Sequence, residues 1–162
     1  MQYAKRSAAL ISVLLLGCAT QFPPVGTTVR ANGYSGPQRD EKDVAVVFAT
    51  DARPRWDATF ICTVNARPLE RPGCANVVYL WPGTHTLGWQ FQGTTATGKG
   101  EYVGVFEAGR VYQLNASPLG PNRGVVQVIP MPPGSRLTYR NASPSQVPAG
   151  SKPDDPVPYG QN

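Results

Sequence analysis

The chain has 162 residues and a formal charge of +5, with 15 Lys and Arg, 10 Asp and Glu, and a single histidine. That length suits one domain with a single core plus tails. The basic residues fall in loose pairs (Arg53 with Arg55, Arg67 with Arg71, Arg136 with Arg140) rather than a stripe interleaved with stacking aromatics, which argues against a nucleic-acid partner.

At the N-terminal end, Lys5 and Arg6 precede SAALISVLLLG, an apolar segment of about ten residues, the length of a signal-peptide core. It falls well short of the roughly 20 residues that span a bilayer. From Ala8 to Leu16 only Ser12 interrupts the run, so the segment lacks the polar period of a helix packed on a domain. Its last residues, Leu15-Leu16-Gly17-Cys18, resemble the lipobox of bacterial lipoproteins, in which a peptidase cuts before a cysteine whose sulfur carries diacylglycerol. The resemblance implies Leu15, Leu16 and Gly17 as the peptidase recognition residues, with Leu16 standing where Ala or Ser is commoner, and Cys18 as the lipidation site. Residues 1–17 are then a signal peptide; cleavage to a soluble secreted form is the alternative. Each buried acyl methylene contributes about 0.8 kcal/mol, so several chains hold the mature N-terminus in a leaflet without a spanning helix. The second mature position is Ala19, not Asp, which in Gram-negative lipoproteins implies the outer membrane, facing the periplasm. Loss of Lys5 and Arg6 with the leader lowers the formal charge from +5 to +3.

Residues 18–42 have little periodicity and many turn formers, and read as a lipidated N-terminus and flexible tether. Residues 140–162, rich in Pro, Ser and Gly, read as a disordered tail, leaving 43–139 for the folded domain. With Cys18 given to lipid, Cys62 and Cys74 remain; an even pair in an oxidising compartment predicts a disulfide, with two free buried thiols as the alternative. Metal binding fails on ligand count, since zinc wants four N, S or O ligands and His85 is the only histidine.

Within the domain, short β-branched and aromatic runs recur between Pro and Gly turns. DVAVVFAT (43–50) is nearly continuous in apolar residues, as a central strand is. ATFICTVN (58–65) places Phe60, Cys62 and Val64 on one face by alternation, and NVVYLW (76–81) follows. After the Pro82-Gly83 turn, THTLGWQF (84–91) sets His85, Leu87, Trp89 and Phe91 on one side. GEYVGVFEAG and RVYQLNAS meet at Ala108-Gly109, and GVVQVIP (124–130) closes the sheet. The expectation is all-β: a small antiparallel β-sandwich of six to seven strands. VVYLWPGTHTLGWQF followed by EAGRVYQLNAS resembles the strand pairs of PEGA-like and transthyretin-like periplasmic modules, which implies a sandwich and no particular reaction.

The chemistry of known enzymes is not legible. His85 is the only histidine available to a nucleophilic triad, no nucleophile elbow or phosphate-binding loop is present, and His85 reads as a packed or hydrogen-bonded strand residue. Glu101 and Glu107, six positions apart along a strand, would sit about 20 Å apart, too far for paired carboxylate catalysis. The sequence therefore predicts no enzyme, no cofactor and no metal. Arg53, Arg55 and Trp56 in one loop, and Trp81 at a turn, form a candidate contact surface, because Arg and Trp anchor interfaces and turn tips are exposed. The expected role is a membrane-anchored structural or accessory subunit of the cell envelope, bound to the membrane through lipid on Cys18 and to an envelope protein. A peptidoglycan- or glycan-binding module is the alternative.

Overall fold

A computed structural model describes residues 29–49, 58–69, 73–93, 96–120, 123–136, 150 and 152. They form nine strands: β1 (Arg30–Asn32), β2 (Ala45–Ala49), β3 (Ala58–Val64), β4 (Arg67–Pro68), β5 (Val77–Leu80), β6 (Gly83–Gln92), β7 (Thr97–Phe106), β8 (Val111–Gly120) and β9 (Arg123–Pro130). A five-stranded sheet has the order β1-β5-β2-β8-β9 and a four-stranded sheet the order β4-β3-β6-β7. No described residue is helical, so none belongs to a helix long and apolar enough to cross a membrane.

Residue pattern explains the placement. The continuous apolar runs of β2 and β5 are buried at every position, as strands covered on both faces are. β6 alternates instead, burying Leu87, Trp89 and Phe91 between more exposed neighbours. The main core lies between the sheets: Val47, Val78, Leu80 and Leu114 from the five-stranded sheet meet Ile61, Leu87 and Phe106 from the four-stranded sheet. A second apolar layer sits on the outer face of the five-stranded sheet. There Val46, Phe48, Val77, Tyr79 and Val111 pack beneath Tyr34 and Met131, which come from the segments after β1 and after β9.

Three expectations are corrected. First, the segment read as tether contributes a strand: β1 pairs in parallel with β5, Arg30 opposite Val77. The Val29 N–H donates to Asn76 Oδ1 at 2.6 Å, and the Val29 carbonyl accepts from Asn76 and Val77, both at 3.1 Å. Three residues carry too little pattern to be read alone; they are held by what they dock on. Second, the sheets are not purely antiparallel. Besides β1 with β5, β2 runs parallel to β8, Val46 opposite Val111. The Ala108-Gly109 turn does not make a hairpin but carries the chain from β7 in one sheet to β8 in the other. Gly109, at φ 69°, donates its N–H to the Val44 carbonyl at 2.8 Å, and Val46 donates to the Arg110 carbonyl at 2.9 Å, so the turn is docked on β2.

Third, alternation fails in β3. The pairing of β3 with β6 shifts register between Ile61 and Thr63. The extra residue of the bulge moves the following side chain to the other face. Val64 therefore joins Ile61 in the main core, while Phe60 and Cys62 stay on the opposite face with Ala58 and Cys74. Cys62 and Cys74 are bonded to each other across a sequence separation of 12. The disulfide reinforces a backbone bridge beside it, where Ile61 and Ala75 exchange hydrogen bonds of 2.7 and 2.8 Å.

Candidate binding surfaces

Leu15, Leu16, Gly17 and Cys18, and the loop residues Arg53, Arg55 and Trp56, lie outside the described residues. Trp81 lies within them, directly after β5, and is 40% exposed. The ring of Tyr34 meets its indole at 5.0 Å between centroids, tilted by 41°, and the Arg39 guanidinium carbon stands 5.6 Å from its centroid. A cation over an aromatic ring at an exposed site contributes about 0.5–1 kcal/mol. The Arg39 N–H also donates to the Tyr34 hydroxyl at 3.1 Å. Tyr34 and Arg39 were not readable as partners of Trp81. The one signal was a lone aromatic inside the turn formers of ANGYSG.

His85 fixes this end of the molecule. Its Nε2 lies 2.8 Å from the Trp81 carbonyl oxygen, which can only accept, so Nε2 carries the hydrogen. Its Nδ1, 3.0 Å from the Asn65 side-chain nitrogen, is then the acceptor. Asn65 Oδ1 in turn accepts the Thr86 N–H at 3.0 Å. Asn65 and Ala66, at φ 51° and 61°, make the tight turn between β3 and β4, so His85 ties that turn to the Trp81 backbone. Beside this network lies a cleft of about 390 Å³ that offers Asn32, Ser35, Asn65 and Arg67 as polar groups, with Tyr34 and Leu69 as apolar wall.

A second surface has different chemistry. β7 pairs with β6 through its whole length, from Thr97 opposite Gln92 to Phe106 opposite Gly83, and is the last strand of its sheet. Phe106 is buried and Tyr102 half-buried toward the core, while Val103 and Val105 on the other face are 64% and 69% exposed. Both sets are apolar, so the sequence alone does not tell which faces inward. Thr86 and Thr84 of β6 stand opposite these valines, and Lys99 and Glu101 continue the same exposed face. The last strand of the other sheet, β9, exposes Val125 at 51% and Ile129 at 37%, but ends on Pro130.

Charge is concentrated in a third place. Glu41 shares a cleft with Asp40, Lys42, Arg110 and Arg136, and burial pushes its carboxyl above the usual range, opposed by Arg30 and Arg136. Two ion pairs flank it, Lys42 with Asp40 at 3.6 Å, both exposed, and the half-buried Arg110 with exposed Glu107 at 3.7 Å. Among the described residues no three His, Cys, Asp or Glu side chains converge as a metal-binding set.

These features define the chain by architecture, as a disulfide-bonded sandwich of two β-sheets in which one long strand edge, that of β7, has no strand paired to it among the described residues. The chain matches no protein-family model, no curated protein and no solved structure.

Proposed function

We propose that this protein is a lipid-anchored envelope component: acylated on Cys18, held at the periplasmic face of the outer membrane, and acting as a structural or accessory subunit that binds other proteins. The observation that carries the binding role is the open edge of β7, with Val103 and Val105 exposed on it. An unpaired strand edge offers a row of backbone donors and acceptors, and an extended segment of a partner can add to it, with side-chain pockets giving selectivity. The anchor is supported by the lipobox-like Leu15-Leu16-Gly17-Cys18 alone.

Two experiments test this. Growth with labelled palmitate should label the protein and fail to label Cys18→Ala. Crosslinking of the tagged full chain in its native envelope should recover a reproducible set of envelope proteins, and that set should shrink in Val103→Lys, which places a charge on the β7 edge. An empty set from wild type would remove the binding role.

The cleft beside Trp81 favours a second reading, a glycan-binding module. Sugars are held by aromatic rings together with amide and guanidinium groups, and Tyr34, Asn32, Asn65 and Arg67 line this cleft, with Trp81 against the Tyr34 ring at its side. Sedimentation with purified peptidoglycan, abolished in Trp81→Ala, would support that reading.

A further inference from the structure

The two sheets end in four strand edges, and they are not equally protected. β1 has three residues and β4 two, too short to template much pairing. β9 has eight but closes on Pro130, and Pro132 and Pro133 follow soon after. β7 has ten residues and no proline, and the valines that crown it are the most exposed of the chain's described large apolar side chains but for Leu119, which is 68% exposed. Edge strands of soluble proteins are ordinarily kept short, charged or interrupted by proline; β7 is long and proline-free, and its charges Lys99 and Glu101 precede Val103, so the Val103–Val105 stretch is an unguarded pairing surface.

We propose that β7 pairs with β7 of a second copy, antiparallel about a two-fold axis at Val103, so that two four-stranded sheets become continuous. The inference rests on the protein-binding reading of β7 and names its partner. Its register follows from charge. β9 lies against the core face of β7 at Gly98, where a built Cβ would stand 3.5 Å from the Arg123 carbonyl oxygen, whereas Lys99, Glu101, Val103 and Val105 on the other face are all exposed and their pairing sets the register. With Val103 on the axis, Val103 faces Val103, Glu101 faces Val105, and Lys99 faces Glu107 twice by symmetry. Centring on Glu101 sets two carboxylates against each other, and centring on Gly104 sets Glu101 against Glu107 twice. Like charges directly opposite across strands are unfavourable and opposite charges favourable. Glu107 already meets Arg110 at 3.7 Å and is exposed enough to receive the partner's lysine as well. A two-fold interface requires such self-complementarity.

The test uses the full chain purified in detergent, with mass followed by sedimentation across a concentration series. Wild type should be dimeric. Val103→Cys should form an interchain disulfide on mild oxidation, because directly opposed residues of an antiparallel pair lie within disulfide reach. Val125→Cys on β9 should not. Lys99→Glu and Glu107→Lys should each weaken dimerisation about tenfold, and the double exchange should restore it. These side chains are exposed, and an unchanged circular dichroism melt confirms that each variant is folded. A monomeric wild type, a dimer crosslinked through residue 125 instead of 103, or a double exchange no better than the singles would overturn the proposal. A monomer whose Val103→Lys variant loses envelope partners overturns self-pairing and leaves the protein-binding reading intact. A dimer that captures no other protein supports self-pairing and removes the accessory role.

Discussion

The outer faces of the two sheets have been treated in opposite ways. On the five-stranded sheet, Val46, Phe48, Val77, Tyr79 and Val111 make a second core beneath Tyr34 and Met131, so β2 and β5 are buried on both sides. On the four-stranded sheet, Ala58, Phe60 and Cys62 of β3 are buried with Cys74, while β7 leaves Val103 and Val105 open. The difference lies in what each face recruits. The first draws on chain segments outside the sheets, the second on a disulfide that covers one strand only. An apolar residue on a sheet surface is therefore not by itself a core residue; a covering segment makes it one.

Breaking the covered face should have the largest effect. Phe48→Ala removes a side chain only 3% exposed and should cost about 3–5 kcal/mol in denaturant unfolding, a cost expected of a central core position. Val105→Ala, the equivalent deletion on the open face, should stay within about 0.5 kcal/mol. A small effect at Phe48 would show that its cover is loose. Next is the disulfide. It spans a sequence separation of 12, and the variant in which Cys62 and Cys74 are both alanine should lose about 3 kcal/mol under oxidising conditions and much less relative to wild type after reduction.

A smaller effect tests how the sheets meet. A Cβ on Gly124 of β9 would fall 2.7 Å from Trp89 Cη2, so Gly124→Ala should cost about 1–3 kcal/mol through overpacking. The smallest effect concerns the segment after β1. Burial raises the Glu41 carboxyl above its unfolded value, so the folded state holds that proton more tightly than the unfolded chain does. This contribution to stability is fully present below the unfolded value and is lost as pH rises through the raised folded value. Glu41→Gln should accordingly gain on wild type between pH 4 and pH 7 in parallel chemical denaturation. An unchanged difference would mean that Arg30 and Arg136 offset the burial completely.

How much of this was readable depends on the kind of pattern each segment carries. Continuous runs in β2 and β5 and alternation in β6 report burial on two faces and on one, and the all-β, two-sheet architecture follows from them. The bulge at Cys62 was not readable, because one inserted residue leaves composition unchanged and reverses the facing of only the two strand residues after it, Thr63 and Val64. Strand direction was hidden as well. Four residues separate β7 from β8, a length that suits a hairpin, yet the backbone bonds from Gly109 and to Arg110 send the chain across to β2. Of the proposed contacts, Trp81 was legible from its place beside Pro82-Gly83. Its companions Tyr34 and Arg39 were not, since they reach it only through the parallel docking of β1 on β5.

Trp89 makes the seam between the sheets optically visible. Its indole, 3% exposed, lies against Gly100 of β7 on one side and Gly124 of β9 on the other, two strands that belong to different sheets. A buried indole emits at shorter wavelength than a wet one. Any event that parts β7 from β9 admits water to this ring, so an emission shift at the seam reports such opening without a label.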